Sequence, residues 1–153
     1  MGDKTEARAT DRVRKINGKI GELLAAVELL RHGFAVSWPD IDSGYDIIAD
    51  DCQGSLHRIQ VKTAQKNHTG NFYVHFCKGR ISKRKYSKED ADFFVVALNY
   101  NGQPAFYVIP VEAVGIKAIF WPAGQHSRYP DKWKTCKLEE YRDRWDLLRD
   151  VEA

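Results

Sequence analysis

The chain is poor in cysteine, in proline and in long apolar runs. It has 3 cysteines and 5 prolines among 153 residues. Cys52, Cys77 and Cys136 are an odd number, far apart, with no CxxC or Cys/His ligand spacing. That argues against a disulfide frame or a zinc site and reads as free thiols in a reducing cytoplasm. No apolar run approaches the roughly 20 residues that a membrane helix needs. The N-terminal MGDKTEARATDR carries acids and no apolar h-region, which is not the pattern of a secretory signal. Repeats, low-complexity tracts and Pro/Gly/Ser linkers are missing too, so residues 1–153 read as one domain. His32, His57, His68, His75 and His126 show no ligand spacing. Ser55, Ser82 and Cys77 have no evident base beside them, so nucleophilic catalysis has no support.

What is there is a globular composition, 43% hydrophobic and 29% charged, with a formal net charge of +3. The charge is modest but unevenly placed. KGRISKRKYSK, residues 78–88, carries six basic residues and no acid, and Arg8, Arg12, Arg14, Lys15 and Lys19 cluster near the start. Local basic patches of this kind suit a polyphosphate partner, although a solvated surface accounts for them as well. A long first helix is predicted from a cap at Thr10 or Asp11. Ile16, Ile20, Leu23, Val27 and Leu30 follow a three-then-four spacing and predict its buried stripe. Gly33 ends it. Strands follow at FAVSW, near 45–50, near 56–63, and at NFYVHF, FFVVALNY and PAFYVIP. The basic run reads as a loop, PVEAV as the start of a short helix, residues 115–135 as irregular, and KLEEYRDRWDLL as a final amphipathic helix. This order predicts an α/β sandwich.

The stretch SGYDIIADDCQGSLHRIQVKTA carries the chemistry. An acid, Asp46, lies in one apolar strand, and Gln60 and Lys62 lie in the next. Burying such groups costs free energy unless they have partners or a ligand. Residues two apart on a strand share a face, so Gln60 and Lys62 point one way and Ile59 and Val61 the other. A turn over 51–55 pairs residue 50 with 56 and sets Asp46 opposite Gln60. A carboxylate, an amide oxygen and an ammonium then converge. The Asp46 and Gln60 oxygens, with the Val61 main-chain oxygen, suit a magnesium ion, and Lys62 could orient a water and neutralise a phosphate. Glu22 lies off the apolar stripe, on a helix side shared with Gly18, Ala25 and Ala26, where small residues allow close approach to the sheet. From there it could reach the metal, directly or through water. The competing reading is an ordinary hairpin with a solvated polar face. Asp50 and Asp51 read as turn residues, and Asp40 and Asp42 as loop acids that a second metal could recruit.

GELLAAVELLRHGF, GYDIIAD and IQVKTA together resemble the PD-(D/E)xK nuclease superfamily, with its helix Glu, strand Asp and (D/E)-x-K on the next strand. Glu22, Asp46 and Lys62 match, and Gln60 stands where the middle acid is most common. A Q-x-K version occurs in the branch that contains group I intron homing endonucleases, which this chain resembles over most of residues 12–149. The resemblance implies the restriction-endonuclease-like αβββαβ core, a mixed central sheet flanked by helices. It also implies a magnesium-dependent DNA endonuclease, with manganese as a substitute metal, leaving a 5′-phosphate and a 3′-hydroxyl. One compact site cuts one strand, so double-strand cutting implies a homo-oligomer, a dimer or a tetramer.

Lys19, Lys66, His68, Lys78, Arg80, Lys83, Arg84 and Lys85 are the phosphate-contact candidates; such contacts hold a duplex without reading it. Trp121, Tyr129 and Trp133 read as packing residues before stacking ones. Two other functions share these features. One is a DNA-binding module without catalysis, and the other is a nuclease selective for branched DNA, as in Holliday-junction resolvases.

Overall fold

The computed structural model describes residues 2–68, 70–79, 83–120 and 138–149. Helix α1 runs Gly2–Arg31 and strands β1 (Ala35–Ser37), β2 (Ile47–Asp50) and β3 (Leu56–Ala64) follow. Then come β4 (Phe72–His75), β5 (Cys77–Lys78), β6 (Arg84–Lys85), β7 (Phe93–Leu98), β8 (Ala105–Pro110) and β9 (Lys117–Phe120). Five strands form one sheet in the order β1-β2-β3-β7-β8, with β3 and β7 parallel and the other pairs antiparallel. This mixed sheet with its helix is the restriction-endonuclease-like arrangement. Where the αβββαβ pattern places a second helix, between β3 and β7, the described residues hold short strands and a turn instead.

The β2–β3 register is as the turn length predicts: Asp50 faces Leu56 and Ile47 faces Ile59. The Asp51 carboxylate closes the turn by accepting the Gln53 and Ser55 amides. Each face of the sheet has its own core. Ile59, Val61, Val95 and Val108 meet Ala25, Ala26 and Leu29 of α1 on one side. Phe94, Val96, Tyr107 and Ile109 meet Phe72, Phe76, Tyr86 and Phe120 on the other.

Helix α1 departs from expectation twice. It starts well before Thr10, because GDKTEARAT holds good helix formers and no proline. Thr10 is no cap: its hydroxyl donates to the Glu6 carbonyl, one turn back. The buried face is also not the bulky one. Ile16 is 50%, Leu23 52%, Val27 43% and Leu30 58% exposed, while Gly21, Ala25, Ala26 and Leu29 are buried. A Cβ on Gly21 would stand 1.8 Å from Thr63 Cγ2, so glycine there brings helix and β3 into contact. Gly18 has no such neighbour within 4 Å.

Three further expectations are corrected. The basic run closes a two-stranded hairpin, β5 with β6. Lys117–Phe120, read as irregular, pairs antiparallel with β4 through a register no local pattern reveals. The C-terminal helix is two 3-10 turns, Glu139–Tyr141 and Trp145–Leu148, broken where Asp143 takes φ 51°. PVEAV does give a 3-10 turn at Val111–Ala113. Among the described residues, no helix is long and apolar enough to cross a membrane.

Candidate active site

The site forms where β2 stops. Beyond the Ile47–Ile59 pair the ladder ends, and Asp46 N donates to the Ile59 carbonyl at 2.8 Å. The Val61 amide then finds no backbone acceptor on β2. The Asp46 carboxylate takes that place, with Oδ2 accepting Val61 N at 2.8 Å. In a strand the N–H and C=O of one residue point to the same edge. The Val61 carbonyl therefore also faces Asp46. Asp46 Oδ1 and the Gln60 side chain have no hydrogen-bond partner among the described residues.

Gln60 and Asp46 line an open cavity of about 650 Å³, walled by the Asp42–Gly44 loop and by Cys77, Lys78 and Tyr86. Ile59 and Val61 are buried toward α1, whereas Gln60 and Lys62 are half-buried on the opposite side. The alternation along β3 is thus the one the sequence predicts. Gly44 has φ +85°, and a Cβ there would lie 2.7 Å from Lys78 Nζ, so glycine both turns the loop and admits the lysine.

Electrostatics couple these groups. Burial pushes the Asp46 carboxyl up to about 6, and the charge of Glu22 adds to the rise. The Val61 amide, Lys62 and Lys19 oppose it. Burial lowers the Lys62 ammonium, and Asp46 holds it back up. Each group stabilises the charged form of the other in a place that favours neither. Glu22 is half-buried on α1 and accepts from Lys19 Nζ at 2.5 Å. The helix brings it close enough to raise Asp46.

Among the described residues, no three His, Cys, Asp or Glu side chains cluster as a metal site. Residue 60 is an amide and so adds no charge to the Asp46 carboxylate. The oxygens present still suit a hard divalent cation: one carboxylate in a desolvated place, one unpartnered amide on the same cavity wall, and a main-chain carbonyl on the adjoining strand edge.

The phosphate-contact candidates divide. Lys78 lines the cavity and donates to Asp90 Oδ1 at 2.7 Å. Arg84 also holds Asp90, and Lys19 holds Glu22. Lys66, His68, Lys83 and Lys85 are exposed and carry no ion pair among the described residues. Arg80, Trp121, Tyr129, Trp133 and Cys136 lie outside the described residues. Sequence reasoning missed Tyr86; its only signal was a single aromatic within a basic run. Both Lys62 Nζ and Lys78 Nζ lie over its ring, 5.1 and 5.3 Å from the centroid.

Comparison with known proteins bears on the fold and the family. The structure of a bacterial homing endonuclease, I-Ssp6803I, superposes with a TM-score of 0.70 at 28% identity, covering 87% of this chain and 90% of that one. MepB aligns with a TM-score of 0.38 at 13% identity, over 59% of this chain and 70% of that one, too distant to inform the site. No curated protein matches in sequence. Residues 12–129, which hold Glu22, Asp46, Gln60 and Lys62, match the PD-(D/E)XK endonuclease family. The chain belongs to the PD-(D/E)XK endonuclease family.

Proposed function

We propose that the protein is a magnesium-dependent DNA endonuclease of the homing type, hydrolysing phosphodiester bonds at the cavity lined by Asp46 and Gln60, with Lys62 beside it. The observation that carries this is the end of β2, where unpartnered Asp46 and Gln60 oxygens share a cavity wall and Lys62 follows on the same strand face. A similar homing endonuclease supports DNA as the substrate. Magnesium, or manganese in its place, would be held by Asp46, Gln60 and the Val61 carbonyl, with Glu22 reaching it directly or through water. It would supply positive charge beside the scissile phosphate.

The Lys62 ammonium donates to a non-bridging phosphate oxygen and orients the attacking water. Asp46 keeps that ammonium charged. The products are a 5′-phosphate and a 3′-hydroxyl. Lys66, His68, Lys83 and Lys85 hold the phosphates of the flanking duplex, and Lys78 reaches into the cavity itself. One chain offers one centre, so a double-strand break calls for a dimer or tetramer acting together.

The test is cleavage of a randomised duplex library, read by sequencing the ends, with magnesium, with manganese and without metal. Metal-dependent ends lost in Lys62→Ala are expected. Binding without cleavage in either metal would instead favour a DNA-binding module, which the missing third carboxylate makes the reading to exclude. Ends confined to added four-way junctions would point to a structure-selective nuclease.

A further inference from the structure

Lys62 has a task that demands a fixed position, yet it makes no ion pair or hydrogen bond among the described residues. A lysine side chain left free carries about 2 kcal/mol of rotamer entropy. What lies against its ammonium is the Tyr86 ring, 5.1 Å from Nζ to centroid. That distance is within reach of a cation–π attraction, which strengthens where water is excluded.

The ring itself is firmly held. Tyr86 is 7% exposed and meets Phe94 edge to face at 5.1 Å. It follows β6 directly, and the segment after it is pinned by Asp90, which accepts the Ser87 amide at 3.0 Å. Asp90 also binds Lys78 and Arg84, one residue from each strand of the hairpin that carries Tyr86. A phenol is neutral at working pH, and burial pushes this one further up, to about 12.

We propose that Tyr86 is a positioning residue of the hydrolytic centre: its ring face holds the Lys62 ammonium beside the Asp46–Gln60 edge, and Asp90 holds the hairpin that carries the ring. The inference rests on the nuclease reading, because the position matters only if Lys62 meets a phosphate. The phenol oxygen is not needed for this; the ring is. Packing alone would require a ring-shaped residue but would be indifferent to its electrons; the Lys78 ammonium shares the ring, 5.3 Å from its centroid, so the Lys62 methylene protons are what assign the effect to Lys62.

The experiment places phenylalanine and a graded series of fluorinated phenylalanines at position 86, which keep the shape and progressively weaken the ring's negative face. Tyr86→Leu removes the face altogether, and circular dichroism reports whether it folds. Single-turnover cleavage is measured in magnesium on a duplex selected from the randomised library, and duplex affinity is measured without metal. In parallel, the Lys62 ε-methylene protons are followed by NMR in the free protein.

Phenylalanine is expected to keep nearly the full rate. The fluorinated series should lose rate stepwise, to roughly 3- to 30-fold at its end, with affinity unchanged. The methylene protons should sit upfield of their free-lysine position in the wild type and return toward it in Tyr86→Leu. A flat rate across the series, or unshifted methylene protons in the wild type, overturns the assignment. Wild-type protein that cuts no duplex in either metal overturns the nuclease reading itself, and the NMR result distinguishes that failure from a misplaced Lys62.

Discussion

At the scale of single residues, the site is held against the preference of its own groups. Asp46 is the clearest case. Below about pH 3 it is protonated in the folded and the unfolded chain alike and costs nothing. Between its unfolded value of 3.8 and its folded value of about 6, the unfolded chain releases the proton and the folded one retains it. Stability therefore falls as pH rises through that window and stays lower above it. Asp46→Asn keeps an acceptor for the Val61 amide and removes the charge. It should stabilise the metal-free protein at pH 7 by about 1–3 kcal/mol and make no difference at about pH 3, while abolishing cleavage. Urea melts at both pH values check this. An equal gain at about pH 3 would place its origin elsewhere. The two helix glycines make a second contrast. Gly18 meets open space, so Gly18→Ala should stabilise by about 1 kcal/mol through helix propensity alone. Gly21→Ala drives a methyl into Thr63 and should destabilise by roughly 1–3 kcal/mol, shifting α1 and Glu22 away from the sheet. Thermal melts of the two variants separate them by sign.

Single elements show which parts of the fold could be read in advance. The β2–β3 hairpin was legible because its turn is local: Asp51 fixes the loop length, and the loop length fixes the register. Period-two alternation then placed Gln60 and Lys62 on one face and Ile59 and Val61 on the other. The side of α1 that meets the sheet was not legible from bulk. Periodicity selects the stripe with the largest apolar side chains, but β3 is approached by the stripe with the smallest. The clue was present in the small residues beside Glu22: Ala25 and Ala26 do face the sheet, whereas the close contact falls at Gly21 and not at Gly18. The β4–β9 pair was illegible because it joins residues 72–75 to 117–120, far beyond any local pattern. Tyr86 was hidden for the same reason, since its role comes from partners on β3 and β5. The helix assignment is open to test. Leu29 is fully buried, so Leu29→Ala should cost about 2–5 kcal/mol. Leu23 is 52% exposed, so Leu23→Lys should change stability by no more than about 0.5 kcal/mol. Were Leu23→Lys the costlier change in denaturant melts, the helix would be facing the other way.

At the scale of the whole molecule, a net charge of +3 says little about a polyphosphate partner, and the pairing of the individual charges says more. Lys19, Lys78 and Arg84 are already engaged by Glu22 and Asp90. Their charges serve the geometry of the site before they serve a duplex. Lys83 and Lys85 are exposed on the same hairpin and have no ion pair among the described residues, so they remain available to displace counterions from a duplex. Each phosphate neutralised contributes about −0.9 to the slope of log affinity against log salt. Replacing Lys83 and Lys85 together by alanine should therefore make that slope shallower by about 1.8, equally on every duplex sequence. The site itself should be left intact, because neither side chain lines the cavity. Binding titrations across a salt series, without metal so that no strand is cut, measure the slope directly. At a salt concentration high enough to suppress the electrostatic difference, the double variant should bind like the wild type. A slope that does not move would place the duplex away from the β5–β6 hairpin, on the Lys66 and His68 side of the cavity.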